Sequence, residues 1–342
     1  MSSIQIINPI YHPGWDKLLL THTQTTFFHT AAWAKVLERS YRYTPYYFTI
    51  IADRRLSGLI PMMEIKSIFT DKRGVSLPFT DECRPITRDA GQLRELQRQI
   101  IDYGRSAGWK HIELRGGGRE LKPAHTAFLV HKLMLGDSPR KVFSTFRDST
   151  QRNIKKARRH NIVAKKESSL AAVKKFYKLN MLTRREHGLP PQPWRFFKKV
   201  YEYIIKKNKG FVVLAYHRNM AVAGAVYFHF NNCAIYKYGA SDKRFQHLRP
   251  NNLVMWEAVK WFVENGYQTF NFGRTALKHH GLLQFKRGWG TREETLTYQK
   301  YDLRRSRFVS GSTRITPFYP IFRKIPLPLL SLTGRLFYRH VG

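Results

Sequence analysis

Residues 211–241 read FVVLAYHRNM AVAGAVYFHF NNCAIYKYGA S, three apolar segments separated by two short polar turns. The segments are rich in valine, alanine and aromatic residues, which favour β-strands. Arg218-Asn219 and Asn231-Asn232 stand between them, and asparagine tolerates the left-handed backbone that tight hairpin turns require. This stretch therefore predicts three consecutive strands, at residues 211–216, 222–230 and 234–238.

A helix and a further strand follow these three strands. Apolar residues recur at helical spacing through residues 253–263, Asn265-Gly266 would end the helix, and residues 269–272 form another apolar run. Two more helices are expected before the strands, around residues 170–176 and 194–204. The second half of the chain is thus predicted to have an α/β fold.

The first half of the chain repeats this order of elements. Its apolar runs predict three strands, a helix and a closing strand, at residues 46–51, 58–65, 75–79, 93–104 and 110–114. The repetition indicates a duplicated domain. With a boundary in the turn-rich residues 136–139, we expect an N-terminal domain (1–139), a C-terminal domain (140–305) and a basic amphipathic tail (306–342).

The chain carries a large excess of positive charge. Its 342 residues include 60 Lys+Arg and 23 Asp+Glu, a formal net charge of +37. Such an excess indicates attraction to a polyanion, either nucleic acid, anionic lipid or a phosphorylated glycan. Hydrophobic residues still make up 42%, which allows a sizeable core and argues against disorder.

The cysteine and hydropathy patterns favour a cytoplasmic protein without a metal ion. Cys83 and Cys233 are the only cysteines, so there is no CxxC pair for zinc and no disulfide framework. Residues 1–16 lack the pattern of a signal peptide, and the most apolar segment is interrupted by charged and polar residues at 217–219. We therefore expect a cytoplasmic location and no metal site.

Several short motifs are distinctive enough to identify a family. They are Arg152-Asn153-Ile154-Lys155-Lys156-Ala157-Arg158, Tyr238-Gly239-Ala240-Ser241, Pro250-Asn251-Asn252-Leu253, Asn271-Phe272-Gly273-Arg274-Thr275 and Phe285-Lys286-Arg287-Gly288-Trp289-Gly290. Their order and spacing resemble the FemAB-related transferases of the GNAT superfamily, most closely the branch associated with cell-envelope and exopolysaccharide systems. The resemblance extends from Trp33 to about Tyr301.

The resemblance implies two tandem GNAT-like domains, each an α/β (α+β) unit with a mostly antiparallel mixed sheet flanked by helices. It also implies transfer of an acyl or aminoacyl group to an amine of a cell-envelope glycan or peptidoglycan precursor. Lys286 matches a family lysine that is expected to stabilise the oxyanion formed when the amine attacks the acyl carbonyl. Asn271 stands where this branch is expected to carry an acid.

Further candidate site residues lie in or beside the same motifs. Arg274 follows a strand end and Gly273, a position at which α/β folds present ligand-contacting groups. The other motif positions expected to bind substrate are Tyr238, Ser241, Asn251 and Trp289. By residue type the possible general bases are Glu113, Glu186, His187, His229 and Glu257, and spacing selects none of them.

A basic segment is predicted to bind phosphate groups. On a helix, Arg152, Lys155, Lys156 and Arg159 are i, i+3, i+4 and i+7 neighbours and share one face. Residues 140–210 contain 21 Lys+Arg and only 4 Asp+Glu, so acidic partners are scarce. This face would suit the phosphates of tRNA, coenzyme A or a lipid-linked glycan. The alternative interpretation is a solvated helix face.

The acyl donor stays open between acyl-CoA and aminoacyl-tRNA. A GNAT coenzyme A loop normally has a glycine-rich turn before a helix, whose backbone amides surround the pyrophosphate. Residues 244–250 read RFQHLRP at that position and contain no glycine. Coenzyme A binding in the usual manner is therefore less expected than the resemblance alone implies.

The C-terminal tail suggests peripheral contact with an anionic membrane. Prolines alternate with Phe and Leu residues from Pro317 onward, and Leu332 and Leu336 recur with Arg335 and Arg339 beside them. This pattern is typical of an amphipathic helix lying on anionic lipid, here at the inner face of the membrane. A tail packed on the domain surface is the alternative. For the whole chain, the competing hypothesis is a nucleic-acid- or anionic-membrane-binding protein with a degenerate transferase fold.

Overall fold

The computed structural model describes residues 3–117, 126–310 and 319–342. The chain forms two compact units. Unit 1 comprises Met1–Leu129, Thr295–Arg314 and Phe337–Gly342, and unit 2 comprises Val130–Glu294 and Ile315–Leu336. Pro317 and Phe318, which belong to the expected amphipathic tail, lie outside the described residues.

Strands and helices alternate along the described chain. The strands are β1 (Ile4–Ile7), β2 (Thr44–Ala52), β3 (Arg55–Ile65), β4 (Arg73–Val75), β5 (His111–Gly117), β6 (Thr126–Met134), β7 (Val163–Glu167), β8 (Gly210–His217), β9 (Met220–Phe230), β10 (Cys233–Ser241), β11 (Thr269–Ala276), β12 (Arg292–Asp302) and β13 (Arg307–Val309). The helices are α1 (Trp15–Leu19), α2 (Ala31–Tyr41), α3 (Ala90–Ser106), α4 (Pro139–Ser144), α5 (Asp148–Arg159), α6 (Leu170–Glu186), α7 (Trp194–Tyr203), α8 (Pro250–Glu264), α9 (His280–Arg287), α10 (Tyr319–Lys324) and α11 (Leu327–Val341).

Unit 1 is built on a mostly antiparallel sheet. Its strands are ordered β1-β2-β3-β4-β5-β12, with β13 paired to β12, and only β4 and β5 are parallel. Helix α3 begins after Asp89, whose side chain accepts a hydrogen bond from the backbone N–H of Gln92. The helix buries Leu96 and Ile100 in a core that also contains Ile112 of β5.

Unit 2 has the same kind of architecture. Its strands are ordered β6-β11-β10-β9-β8-β7, antiparallel from β7 to β10 and parallel between β10 and β11. Helix α8 starts with Pro250, whose missing N–H is tolerated in a first helical turn. Val259 and Phe262 of this helix share one core with Phe211 and Phe270 of the sheet. Both units therefore show a mixed α/β architecture with a mostly antiparallel sheet flanked by helices, as predicted.

The strand predictions hold best where the turns are defined by asparagine. The three strands predicted in residues 211–238 are β8, β9 and β10, and Arg218, Asn219 and Asn231 adopt positive φ values of 48°, 66° and 51° at the turns. The strand predicted at residues 75–79 is wrong beyond Val75, because Leu77 and Phe79 take left-handed backbones with φ of 55° and 56°. Such backbones end strand pairing.

The chain returns to unit 1 after the second sheet. Residues 295–314 belong to unit 1, although the sequence placed residues up to 305 in the C-terminal domain. Leu303 explains the difference, since it is buried in the unit 1 core. The end of α11 also belongs to unit 1, where Tyr43 Oη donates to the Tyr338 carbonyl at 3.1 Å. The expected tail (306–342) is thus divided between the two units.

No helix within residues 3–117, 126–310 or 319–342 is both long and apolar enough to cross a bilayer. Within the same ranges, no three His, Cys, Asp or Glu side chains converge in a metal-binding arrangement.

Buried His29 predicts acid-sensitive stability of unit 1. Its side chain is 0% exposed, Nδ1 accepts a hydrogen bond from the backbone N–H of Thr26 at 3.0 Å, and burial lowers the pKa of His29 from 6.5 to about 4. The unfolded chain therefore binds this proton more readily, and stability falls as the pH drops from 6.5 towards 4. His29→Asn should reduce the slope of unfolding free energy against pH by up to about 1.4 kcal/mol per pH unit.

The measurement is urea denaturation at several pH values between 4 and 7. His247→Asn, at an exposed histidine, is the control and should leave the slope unchanged. An unaltered slope in His29→Asn would show that His29 does not couple protonation to folding.

Candidate functional site

Two parallel strands of unit 2 pair over only part of their length. Strands β10 and β11 are in register at Cys233–Ile235 and Thr269–Asn271. β10 continues to Ser241 and β11 to Ala276, beyond these paired residues. The carboxyl ends of parallel strands are where α/β folds bind ligands. The segments that follow Ile235 and Asn271 therefore form the candidate site.

Lys286 places a buried cation against the β11 side of this site. It lies in the last turn of α9, and its side chain is 2% exposed. Its Nζ donates to the Gly273 carbonyl at 2.8 Å and to the Arg274 carbonyl at 3.3 Å. A buried ammonium is tolerated only when such acceptors compensate its lost hydration. The two carbonyls thus fix the position of the charge.

Asn271 holds the backbone to which Lys286 is bound. Its Oδ1 accepts a hydrogen bond from the Gly273 N–H at 2.7 Å, and its side chain is mostly buried. Gly273 has φ of 71°, a left-handed conformation that favours glycine. Asn271 and Lys286 therefore bind the two polar groups of one glycine residue.

Trp289 lies in the core and not on the surface of the site. Its ring is 0% exposed and contacts Phe146, Phe272 and Phe285, with centroid distances of 4.9, 6.1 and 6.0 Å. The sequence motif suggested that Trp289 binds substrate. In the structure its ring is instead enclosed by aromatic side chains, directly after the helix that carries Lys286.

The structure brings two further candidate residues together at the end of β10. Asn251, in the first turn of α8, donates from Nδ2 to Ser241 Oγ at 3.1 Å. The Ser241 N–H donates to Thr183 Oγ1, and this hydroxyl donates in turn to the Ser241 carbonyl, both at 3.0 Å. Tyr238 packs on two phenylalanines of α7, at 6.0 and 5.6 Å between ring centroids. Ser241 and Asn251 are thus anchored to α6 and α8.

The basic segment forms the cationic helix face that its spacing predicts. In α5, Ile154 and Ala157 are buried, Lys156 is half-buried, and Arg152, Lys155 and Arg159 are exposed. Arg158 lies off this face and pairs with Glu257 at 3.0 Å. Within the described ranges, no carboxylate lies at salt-bridge distance from Arg152, Lys155, Lys156 or Arg159.

Sequence reasoning missed a polar cluster that anchors α9. His131 of β6 is 0% exposed, and its Nε2 lies 2.8 Å from Glu293 Oε1. Glu293 also accepts from Arg287 Nε at 2.6 Å, and this hydrogen bond lowers the pKa of the Glu293 carboxyl. Burial lowers the pKa of His131. Since Arg287 follows Lys286 directly, the cluster restrains the helix end that carries the buried lysine.

Comparison with known proteins matches the part of the chain that contains this site. The family model for the acetyltransferase (GNAT) domain matches residues 144–287, which include α5, β10, β11 and Lys286. The Lipid II:glycine glycyltransferase of Staphylococcus haemolyticus is 33% identical over 100 residues, covering 27% of this chain and 24% of that protein. Its counterpart in Staphylococcus epidermidis RP62A is 36% identical over 76 residues, covering 20% of this chain and 18% of the relative.

Residues 144–287 thus match a GNAT domain, and the chain is similar to FemAB-related transferases. Its matches span about a quarter or less of the length of these curated relatives. Among solved structures, FemX aligns with a TM-score of 0.68 at 13% identity, covering 86% of this chain and 96% of FemX. A tandem GNAT protein from the clavulanic acid pathway aligns with a TM-score of 0.52 at 10% identity, covering 89% and 99% of the two chains. At such low identities these structures show the fold, which is that of tandem GNAT proteins.

The contact between Asn271 and Gly273 yields a stability prediction. Asn271→Ala removes the acceptor of the Gly273 N–H and should lower the unfolding free energy by about 1–3 kcal/mol, because a buried donor loses its partner. Asn271→Asp keeps an acceptor oxygen at neutral pH and should lose less. Urea denaturation measures both variants. Asn265→Ala, which removes an exposed hydrogen bond to Trp261, is the control and should lose least. Equal stability of Asn271→Ala and the unmodified protein would contradict the assignment.

Proposed function

We propose that this FemAB-related protein transfers an aminoacyl or acyl group to an amine of a peptidoglycan precursor or another cell-envelope glycan. The observation that carries the proposal is the buried Lys286 ammonium, held by two carbonyls just beyond the residues of β11 that pair with β10. The similarity to Lipid II:glycine glycyltransferases over short segments supports the same reaction class.

Lys286 would act on charge that develops during the reaction. The acceptor amine attacks the acyl carbonyl, and its oxygen becomes negative as the new C–N bond forms. The bond from the acyl carbon to the donor oxygen or sulfur then breaks, and the proton lost by the amine balances the leaving group. A fixed cation beside that oxygen contributes roughly 3–4 kcal/mol, and burial strengthens its field. Arg274 is the second candidate for a catalytic role.

The environment of the donor site favours aminoacyl-tRNA over acyl-CoA in our proposal. Residues 243–248 form a short 3-10 helix, Arg249 has φ of 62°, and Pro250 supplies no N–H to the first turn of α8. This segment offers fewer backbone donors to a pyrophosphate than a glycine-rich loop does. The cationic face of α5 offers the side-chain charges that an RNA backbone would contact.

The remaining candidate residues receive separate roles in this proposal. Ser241, Asn251 and Tyr238 would contact substrate at the end of β10. Arg152, Lys155, Lys156 and Arg159 would bind phosphates of the donor or of a lipid-linked acceptor. Trp289 would be a positioning residue, since its enclosed ring follows the end of α9 directly.

We also propose peripheral contact between α11 and an anionic membrane, which would place a cytoplasmic protein at the inner face of the membrane. Leu329, Leu332 and Leu336 lie at i, i+3 and i+7 and are 56%, 48% and 59% exposed. Arg335 and Arg339 are exposed beside them. Leu330 and Gly334 face inward, and a Cβ on Gly334 would clash with the Pro191 carbonyl oxygen. The helix thus packs on one face and exposes leucine and arginine on another.

The competing hypothesis is a polyanion-binding protein with a degenerate transferase fold. Its sequence support was Asn271, which replaces an expected acid. In the structure the Asn271 amide oxygen makes a hydrogen bond to Gly273 that an acid would also make. The matches to glycyltransferases favour the enzyme, and a measurement of turnover discriminates between the two.

Replacing Lys286 with methionine should remove transfer. Lys286→Met keeps a side chain of similar length while deleting the charge, so we expect a loss of about 100- to 1000-fold in rate. The assay supplies aminoacyl-tRNA or acyl-CoA as donor and lipid II as acceptor, and it measures formation of the modified acceptor. Circular dichroism checks that the variant is folded.

The control for this assay is Lys278→Met, at an exposed lysine just before α9. It should retain the rate of the unmodified protein. Full transfer activity in Lys286→Met would refute the assigned role. Polyanion binding without turnover by any donor, in the unmodified protein, would favour the competing hypothesis.

Replacing the three exposed leucines of α11 should weaken membrane binding. Replacing Leu329, Leu332 and Leu336 with serine removes apolar area worth about 25 cal/mol per Å² when buried in lipid, so at least a roughly tenfold loss is expected. Sedimentation with phosphatidylglycerol vesicles measures binding. A control variant with serine at Ile6, Leu20 and Leu170 removes apolar residues that are exposed but dispersed along the chain. Equal binding by both variants would exclude α11 as the membrane contact.

A further inference from the structure

An open groove lies along the edge strand of unit 2. Strand β7 is the last strand in the sheet order and pairs with β8 alone. The groove has a volume of about 720 Å³. Its polar lining includes Asn161, Lys165, Lys175, Tyr216, Arg218 and Asn219. The residues of the candidate site on β10 and β11 are not among its lining residues.

The alternation of β7 sends two neighbouring lysines to different faces of the sheet. Val163, Lys165 and Glu167 line the groove. Lys166 points the other way, where its Nζ lies 4.4 Å from the ring centroid of Trp261 and 5.2 Å from that of Phe211. Successive side chains of a strand face opposite sides. Lys166 therefore lies against aromatic rings of the core, and Lys165 faces the groove.

The acidic residue of the groove is already engaged by a neighbour. Tyr216 Oη donates to the Glu167 carboxylate, and Lys175 Nζ donates to Tyr216 Oη at 3.0 Å. Lys165 and Arg218 have no described carboxylate at salt-bridge distance. With three cations and one carboxylate, the groove carries a net positive charge that no described side chain compensates.

Two turns add neutral side-chain amides beyond the Val163–Tyr216 end of the β7–β8 pair. Asn161 follows α5 with φ of 57°, and Asn219 lies in the β8–β9 turn with φ of 66°. Arg159, the last residue of the cationic α5 face, is only two positions before Asn161. The end of the α5 face and one lining residue of the groove are therefore close together in sequence.

We propose that this groove binds the phosphodiester backbone of RNA, at a site separate from the acyl-transfer site. The inference rests on the proposed function, in which the donor is aminoacyl-tRNA, and it assigns the groove to the body of that RNA. A concave surface with three cations and two amides fits a chain of phosphates. A contact with lipid tails would need several exposed aliphatic side chains, and Val163 is the one aliphatic residue among those described as lining the groove.

The test measures how salt changes the affinity for deacylated tRNA. Each phosphate contact contributes about 0.7–0.9 to the slope of log affinity against log salt. The triple variant Lys165→Ala, Lys175→Ala, Arg218→Ala should therefore lower this slope by about 2–3. The control is Arg88→Ala, Arg94→Ala, Arg98→Ala, which removes the same charge from exposed positions in and beside α3 of unit 1. The control should leave the slope unchanged.

Each outcome bears on the proposal. A lower slope in the groove variant alone supports it, whereas equal slopes in the two variants overturn it. Loss of binding to phosphatidylglycerol vesicles with unchanged tRNA affinity would overturn it in favour of a membrane contact.

Transfer assays separate this result from the proposed function. If the unmodified protein transfers from aminoacyl-tRNA and the groove variant keeps the same slope, the enzyme proposal stands. The groove is then excluded as an RNA-binding site. If the groove variant has a reduced slope but no aminoacyl-tRNA supports transfer, the groove is still an RNA-binding site. Aminoacyl-tRNA is then excluded as the acyl donor.

Discussion

The buried ammonium of Lys286 sets the requirements that the surrounding structure meets. Removing such a charge from water costs several kcal/mol unless polar partners replace the lost hydration. Carbonyls of Gly273 and Arg274 provide that replacement, and a left-handed glycine presents the first of them. Asn271 holds the same glycine from the other side. The position of one charge thus depends on a glycine and on an amide two residues before it.

The lysine is restrained from the helix as well as from the strand. Arg287 and Glu293 fix the end of α9, and His131 packs against the same carboxylate within the sheet. Trp289 fills the core directly after the helix. A side chain aimed at a developing charge contributes most when it cannot reorganise. This arrangement restrains Lys286 at the strand and at the helix. At the end of β10, the candidate residues Ser241 and Asn251 instead hydrogen-bond to each other.

The sequence was informative where local chemistry determines structure. Asparagine turns located β8, β9 and β10, and helical spacing correctly described α5 and its cationic face. Leu77 and Phe79 escaped prediction because apolar residues rarely adopt the positive φ that ends β4. His131 and Glu293 are far apart in sequence, so no spacing pattern could pair them. The burial of Trp289 escaped for the same reason, since its partners come from separate elements.

Charge balance explains why the basic surface remains available to a ligand. With 60 Lys+Arg and 23 Asp+Glu, most cations of the chain cannot find a carboxylate. Lys286 is held by backbone carbonyls, Lys166 lies over the ring of Trp261, and Arg158 pairs with Glu257. The α5 face and the β7 groove retain charges on adjoining chain segments of unit 2. Because like charges repel when left alone, a surface of this kind is stabilised by a bound polyanion, and its affinity must fall with salt.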